Sequence, residues 1–116
     1  MEKELYIKLE ESGYEVKILT GESELKPDND NVDVFVNFKN GDVYTATFFT
    51  LRNIETIFQR NKETGECGSG RYFYCTDMIL VESLTPEIIF ETVKNLIKEG
   101  ELNEAFKFLG KTEPSF

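Results

Sequence analysis

Residues 32–81 read VDVFVNFKNGDVYTATFFT, LRNIETIFQRNK, ETGECGSG and RYFYCTDMILV, and the fold follows from how these four pieces are parsed. Apolar residues recur at every second position on both sides of Asn40-Gly41. Asn-Gly tolerates the positive φ angles of a two-residue hairpin turn, so the stretch predicts a central β-hairpin. Counting outward from such a turn pairs Phe38 with Val43, Val36 with Thr45, Val34 with Thr47 and Val32 with Phe49. Phe35, Tyr44, Ala46 and Phe48 then share the opposite face, and both faces read as fairly apolar.

Thr50 ends the second strand and can cap a helix through its hydroxyl, with Asn53 as a second candidate. Leu51, Ile54, Ile57 and Phe58 fall on one helical face, and the helix is expected to stop near Asn61. Gly65–Gly70 contains three glycines and reads as a flexible connection. Arg71–Val81 reads as a return strand in which Asp77 marks a bend or boundary.

Upstream, Leu5, Ile7 and Leu9 alternate with charged residues, as do Tyr14, Val16 and Ile18. Glu11-Ser12-Gly13 separates the two runs, which predicts a first hairpin. Residues 20–31 form a polar, turn-rich linker. Downstream, Thr85-Pro86-Glu87 opens a helix whose apolar stripe is Ile89, Val93, Leu96 and Ile97, closed by Gly100. A further helix is expected over Glu101–Leu109, with Gly110 as its stop and residues 110–116 as a short tail. The order β-β-β-β-α-β(β)-α-α predicts an α+β fold: an antiparallel sheet of about five to six strands with helices mainly on one face. At 116 residues this is a single domain, 1–116.

The composition narrows the functions. There is no histidine, so the commonest general base, the usual nucleophile pairs and the commonest metal ligand are missing. The two cysteines, Cys67 and Cys75, read as free thiols, because the charged start MEKELYIKLEE lacks a signal peptide's apolar run and implies a cytoplasmic chain. The formal charge is −9, and residues 1–33 hold ten acids against four lysines. That balance disfavours nucleic acid and anionic membrane as partners and leaves a basic protein surface as the complementary one.

Three motif readings fail on inspection. Gly65–Gly70 lacks the lysine of a phosphate loop and precedes a strand where such a loop opens a helix. Asp28-Asn29-Asp30-Asn31-Val32-Asp33 lacks the glycine at position 6 and the glutamate at position 12 of a calcium loop. Cys67 has no neighbouring base to make it a nucleophile. No catalytic residue, metal or cofactor is therefore expected. The candidate residues are partner-binding ones: Glu22, Glu24, Asp28, Asp30 and Asp33 from the acidic linker, and Glu66 from the glycine-rich stretch.

A small, acidic, histidine-free α+β chain without catalytic equipment resembles the bacterial immunity proteins that neutralise polymorphic or contact-dependent toxins. Thr50–Ile54, Thr64–Cys67, Tyr72-Phe73 and Asp77–Ile79 are also similar to a pattern in small bacterial proteins. The resemblance implies cytoplasmic residence and one tight partner, a basic, nuclease-like toxin held by an acidic surface. The alternatives are an oligomeric structural module, such as a homodimer joined through a sheet edge, and a small enzyme using Glu66, Arg71, Tyr72 or Asp77.

Overall fold

A computed structural model describes residues 6–111. Leu5 and residues 112–116 of the expected tail 110–116 lie outside the described residues, and Gly110 and Lys111 end the last strand. Among the described residues, six strands and four helices follow in the order β1 Ile7–Glu11, β2 Tyr14–Leu19, β3 Asn31–Phe38, β4 Asp42–Thr50, α1 Leu51–Thr64, α2 Glu66–Gly70, β5 Met78–Val81, α3 Pro86–Lys98, α4 Leu102–Ala105 and β6 Lys107–Lys111. The fold is α+β. The sheet runs β1-β2-β3-β4-β5, and β6 also pairs with β4. Hairpins make it mainly antiparallel, while β5 lies parallel to β4 because α1 and α2 carry the chain back before it re-enters the sheet. β5 and β6 share one edge of β4: Thr47–Thr50 face β5 and Asp42–Thr45 face β6.

The central hairpin forms with a register one residue away from the one expected. Val36 pairs with Tyr44, Val34 with Ala46 and Val32 with Phe48. The cause is the turn. Gly41 takes φ +99°, and Asn40 is not among the residues of positive φ, so a two-residue turn with both centres left-handed does not form. Instead the Asn40 side-chain oxygen accepts from the Asp42 amide at 2.9 Å, and the Gly41 amide donates to the Phe38 carbonyl at 2.9 Å. Asparagine's bond to the backbone two residues on thus holds a loop of three residues, Lys39 to Gly41. Because side chains alternate, the shift changes which residues of β3 and β4 share a face. Val32, Val34 and Val36 now lie with Ala46 and Phe48, all buried, and Val16 and Ile18 extend that face into β2.

α3 covers this face. Thr85 Oγ1 accepts from the Ile88 amide at 3.2 Å, Pro86 takes the first turn, and Ile89 and Val93 are fully buried in the core. Phe106 joins them, its ring meeting Phe48 edge-on at 5.9 Å. The expected last helix, Glu101–Leu109, is confined to Leu102–Ala105. Phe106 is already extended, and Lys107–Lys111 pair with β4 as a sixth strand. Edge pairing with Tyr44 and Thr45 supersedes the helical spacing there. The expected return strand is likewise confined to Met78–Val81, and Asp77 at φ +55° marks its boundary.

The other face carries Asp33, Phe35, Asn37, Thr45 and Thr47, as the register dictates, and Phe49, whose ring meets Phe73 edge-on at 5.7 Å. α1 runs three residues past the expected stop, to Thr64. Thr50 Oγ1 caps its start by accepting from the Asn53 amide, and Gly65 at φ +85° closes its end by donating to the Asn61 carbonyl at 2.8 Å. Cys67, Gly68 and Ser69 are all left-handed, so residues 65–70 form a defined turn. Gly70 then lies against α1: a β-carbon there would stand 2.7 Å from the Phe58 carbonyl oxygen and 2.9 Å from the Lys62 amide nitrogen.

Candidate functional site

The linker 20–30 divides into two parts with different surroundings. In the second part several carbonyls and side chains are engaged. The Pro27 carbonyl accepts from the Leu84 amide at 2.7 Å, and the Asp28 carbonyl accepts from Thr50 Oγ1 at 3.1 Å. Asn53 joins the segment to α1, donating to Asn29 Oδ1 and accepting from Asn31 Nδ2. The Asp30 carboxylate accepts from the amides of Lys26 and Asn31. Asp28 meets Arg52 at 3.9 Å in a highly exposed pair. Asp28 and Asp30 therefore belong to a clamp holding the linker to the start of α1.

In the first part, Glu22 and Glu24 are exposed, and neither forms an ion pair among the described residues. They stand at a groove of about 430 Å³ lined also by Tyr6, Ile7, Leu25 and Pro86. Glu87, exposed in the first turn of α3, follows directly on Pro86. The groove thus combines carboxylates with apolar and aromatic walls. Its position follows from the fold: Tyr6 and Ile7 lead into β1, Leu25 packs at the margin of the core, and Pro86 begins the helix above it.

The remaining candidates lie elsewhere. Asp33 is on the face away from α3, where its carboxylate accepts from Thr47 Oγ1 at 2.7 Å. Glu66 is exposed on the α1–β5 connection, its amide donating to Thr64 Oγ1. Of the six acidic candidates, then, Glu22 and Glu24 share the groove, Asp28 and Asp30 share the clamp, and Asp33 and Glu66 stand apart.

A second concavity, of about 270 Å³, wraps the turn end of the first hairpin and is lined by Glu10, Glu11, Tyr14, Glu15, Asn37, Phe38 and Lys39. None of these is a candidate from the sequence. A signal is present in the Glu10-Glu11 and Tyr14-Glu15 pairs on either side of a tight turn, but closing the cleft requires β3 as its third wall. The Lys39 amide donates to the Gly13 carbonyl at 3.0 Å and ties the two turns together. Lys8 reaches Glu10 and Glu15, and Lys94 reaches Glu11. The Glu10 and Glu15 carboxylates hold the Lys8 ammonium above its ordinary range. Burial, aided by the Glu11 charge, holds the Tyr14 phenol above its own, so Tyr14 stays neutral well into alkaline solution.

A third concavity, also about 270 Å³, lies over the seam where β5 and β6 both begin, between Asp33, Thr45 and Thr47 on one side and Cys75, Asp77 and Lys107 on the other. Of the residues that a small enzyme would use, Asp77 lines this cleft, whereas Glu66, Arg71 and Tyr72 are exposed outside it. Among the described residues no three Asp, Glu or Cys side chains are placed to hold a metal ion, and no helix is long and apolar enough to cross a membrane. Compared with protein-family models, curated proteins and solved structures, the chain matches none.

Proposed function

We propose that the chain is a non-catalytic binding protein that takes a basic protein partner in the cytoplasm, in the manner of an immunity protein neutralising a nuclease-like toxin. The observation that carries this reading is the groove at Glu22 and Glu24. Exposed carboxylates without ion-pair partners among the described residues border walls made by Tyr6, Ile7, Leu25 and Pro86. Lysine or arginine side chains on a partner meet the carboxylates, and an adjacent apolar side chain fills the groove. Charge then governs the rate of encounter and apolar burial the residence time. The formal charge of −9 favours the same class of partner over a long range.

The test is affinity capture of the tagged protein from its native lysate at low and at high salt, repeated with Glu22→Ser/Glu24→Ser. The expected result is one stoichiometric basic protein, reduced by salt and lost with the double variant. Recovery of the protein with only itself at both salts would overturn the reading in favour of an oligomeric module.

A further inference from the structure

The groove at Glu22 and Glu24 does not end on the linker. Its walls include Tyr6 and Ile7, and Ile7 is the first residue of β1. At the far end of the same strand, Glu10 and Glu11 line the hairpin-end cleft together with Glu15. β1 therefore joins two concavities that both carry carboxylates.

β1 is also a sheet edge. Among the described residues it pairs only with β2, so its outer backbone donors and acceptors face away from the sheet. The pairing register gives each face a character. Lys8 and Glu10 point to the face away from α3, while Ile7 and Leu9 point toward the core, where both are half-buried. Five residues of strand span about 17 Å, which sets the separation of the two concavities along the edge.

Resting on the binding reading above, we infer that the partner docks by strand addition. An extended segment of the basic partner hydrogen-bonds along β1 from Ile7 to Glu11 and sets one cationic end by Glu22 and Glu24, the other in the cleft of Glu10, Glu11 and Glu15. Main-chain bonds supply affinity, and alternate side chains supply selectivity. Lys8, Lys17 and Lys94 already touch the cleft carboxylates, but these are partly solvated pairs, so an incoming guanidinium displaces them at modest cost. Arginine suits the cleft better than lysine, because it can fork onto a carboxylate while lying on the Tyr14 or Phe38 ring.

A second copy of the chain fits the edge less well. Antiparallel pairing about Leu9 would set Lys8 opposite Glu10 favourably. It would also bring the Glu22/Glu24 end of one copy against the Glu10/Glu11 end of the other. Charge therefore selects a basic segment over self-pairing.

The experiment uses the full chain and two synthetic peptides of equal charge. One has arginine pairs at its ends and an alternating valine–threonine centre; the other has proline in place of the central threonines and cannot form a strand. Amide hydrogen exchange and chemical-shift mapping by NMR are the readouts. The expected result is that the alternating peptide slows exchange of outward-facing amides in residues 7–11 by roughly tenfold or more, and shifts Glu22, Glu24 and Glu11. The proline peptide should leave the β1 amides unchanged.

Equal binding of both peptides without protection of β1 would overturn strand addition while leaving the charge-based binding reading intact. No binding of either peptide, or protection confined to β5 and β6, would overturn strand addition as well. Concentration-dependent dimerisation with β1 protected in the absence of peptide would replace the proposed occupant with a second copy. Loss of partner capture with Glu22→Ser/Glu24→Ser is read separately, so the two proposals can fail independently.

Discussion

Gly21–Leu25 and Pro27–Asn31 are two neighbouring segments of one polar stretch, separated by Lys26. Each carries two acids, and each reads as a turn-rich, solvated loop. In the folded chain they do opposite things. Pro27–Asn31 is bonded to Leu84 and to Thr50 and Asn53 at the start of α1, two places that only the tertiary fold brings to the linker. Gly21–Leu25 presents Glu22 and Glu24 at a groove. Acidity alone therefore does not distinguish a carboxylate that holds a loop in place from one that is available to a partner. The partners of the backbone groups around it do.

Residues 65–70 repeat the lesson, since a glycine-rich stretch that reads as flexible is anchored at Gly70. Gly70→Ala is expected to cost the fold more than any change in the linker. The new methyl group meets α1 backbone atoms that cannot rotate away, and φ +78° is itself unfavourable for alanine. A loss of about 3 kcal/mol, read from the urea midpoint, is expected. A loss below about 0.5 kcal/mol would show that the connection is as loose as its composition suggests.

Next in size is Thr50→Val, which breaks the clamp at its centre. Thr50 is 2% exposed, and its hydroxyl both caps α1 and donates to the Asp28 carbonyl. Valine fills the space but satisfies neither group, so about 2 kcal/mol should be lost. Exchange should also quicken at the Leu84 amide, which is bonded to Pro27. Asp30→Ala removes acceptors from two amides at a less buried site, and about 1 kcal/mol is expected. If it instead left stability unchanged and weakened partner binding, Asp30 would belong with Glu22 and Glu24.

The parts of the fold legible in the sequence are those fixed by neighbours in the chain. Thr50 and Thr85 cap their helices because capping needs only an amide three residues on. The first hairpin follows from alternation across a short turn. The central hairpin is legible as a hairpin but not in register, because Asn40 can serve either as a left-handed turn centre or as an acceptor for the Asp42 amide. The second use moves every pair by one residue. Residues 102–109 have helical spacing, and only the vacant edge of β4 makes Lys107–Lys111 a strand. The groove is half legible: Glu22 and Glu24 are candidates from the sequence, but Tyr6, Ile7 and Pro86 reach it from distant parts of the chain. The hairpin-end cleft escapes a linear reading for the same reason.

The smallest expected stability effect belongs to Glu22→Ser/Glu24→Ser, and it discriminates best between the two halves of the linker. Exposed carboxylates without ion-pair partners among the described residues hold nothing in place, so the urea midpoint should move by less than about 0.5 kcal/mol. Association with the basic partner should nevertheless slow, by roughly tenfold at low ionic strength, because these charges act on the encounter before any contact forms. At about 1 M salt the difference should vanish, since screening then acts within a few ångströms. Asp28→Ser/Asp30→Ser removes the same formal charge from the same linker and should do the reverse, lowering stability while changing the salt dependence less. Equal loss of salt-dependent association in the two double variants would mean that the linker acts as one undivided acidic surface. A greater loss with Glu22→Ser/Glu24→Ser would place the electrostatic contribution at the groove, where the carboxylates border the start of β1.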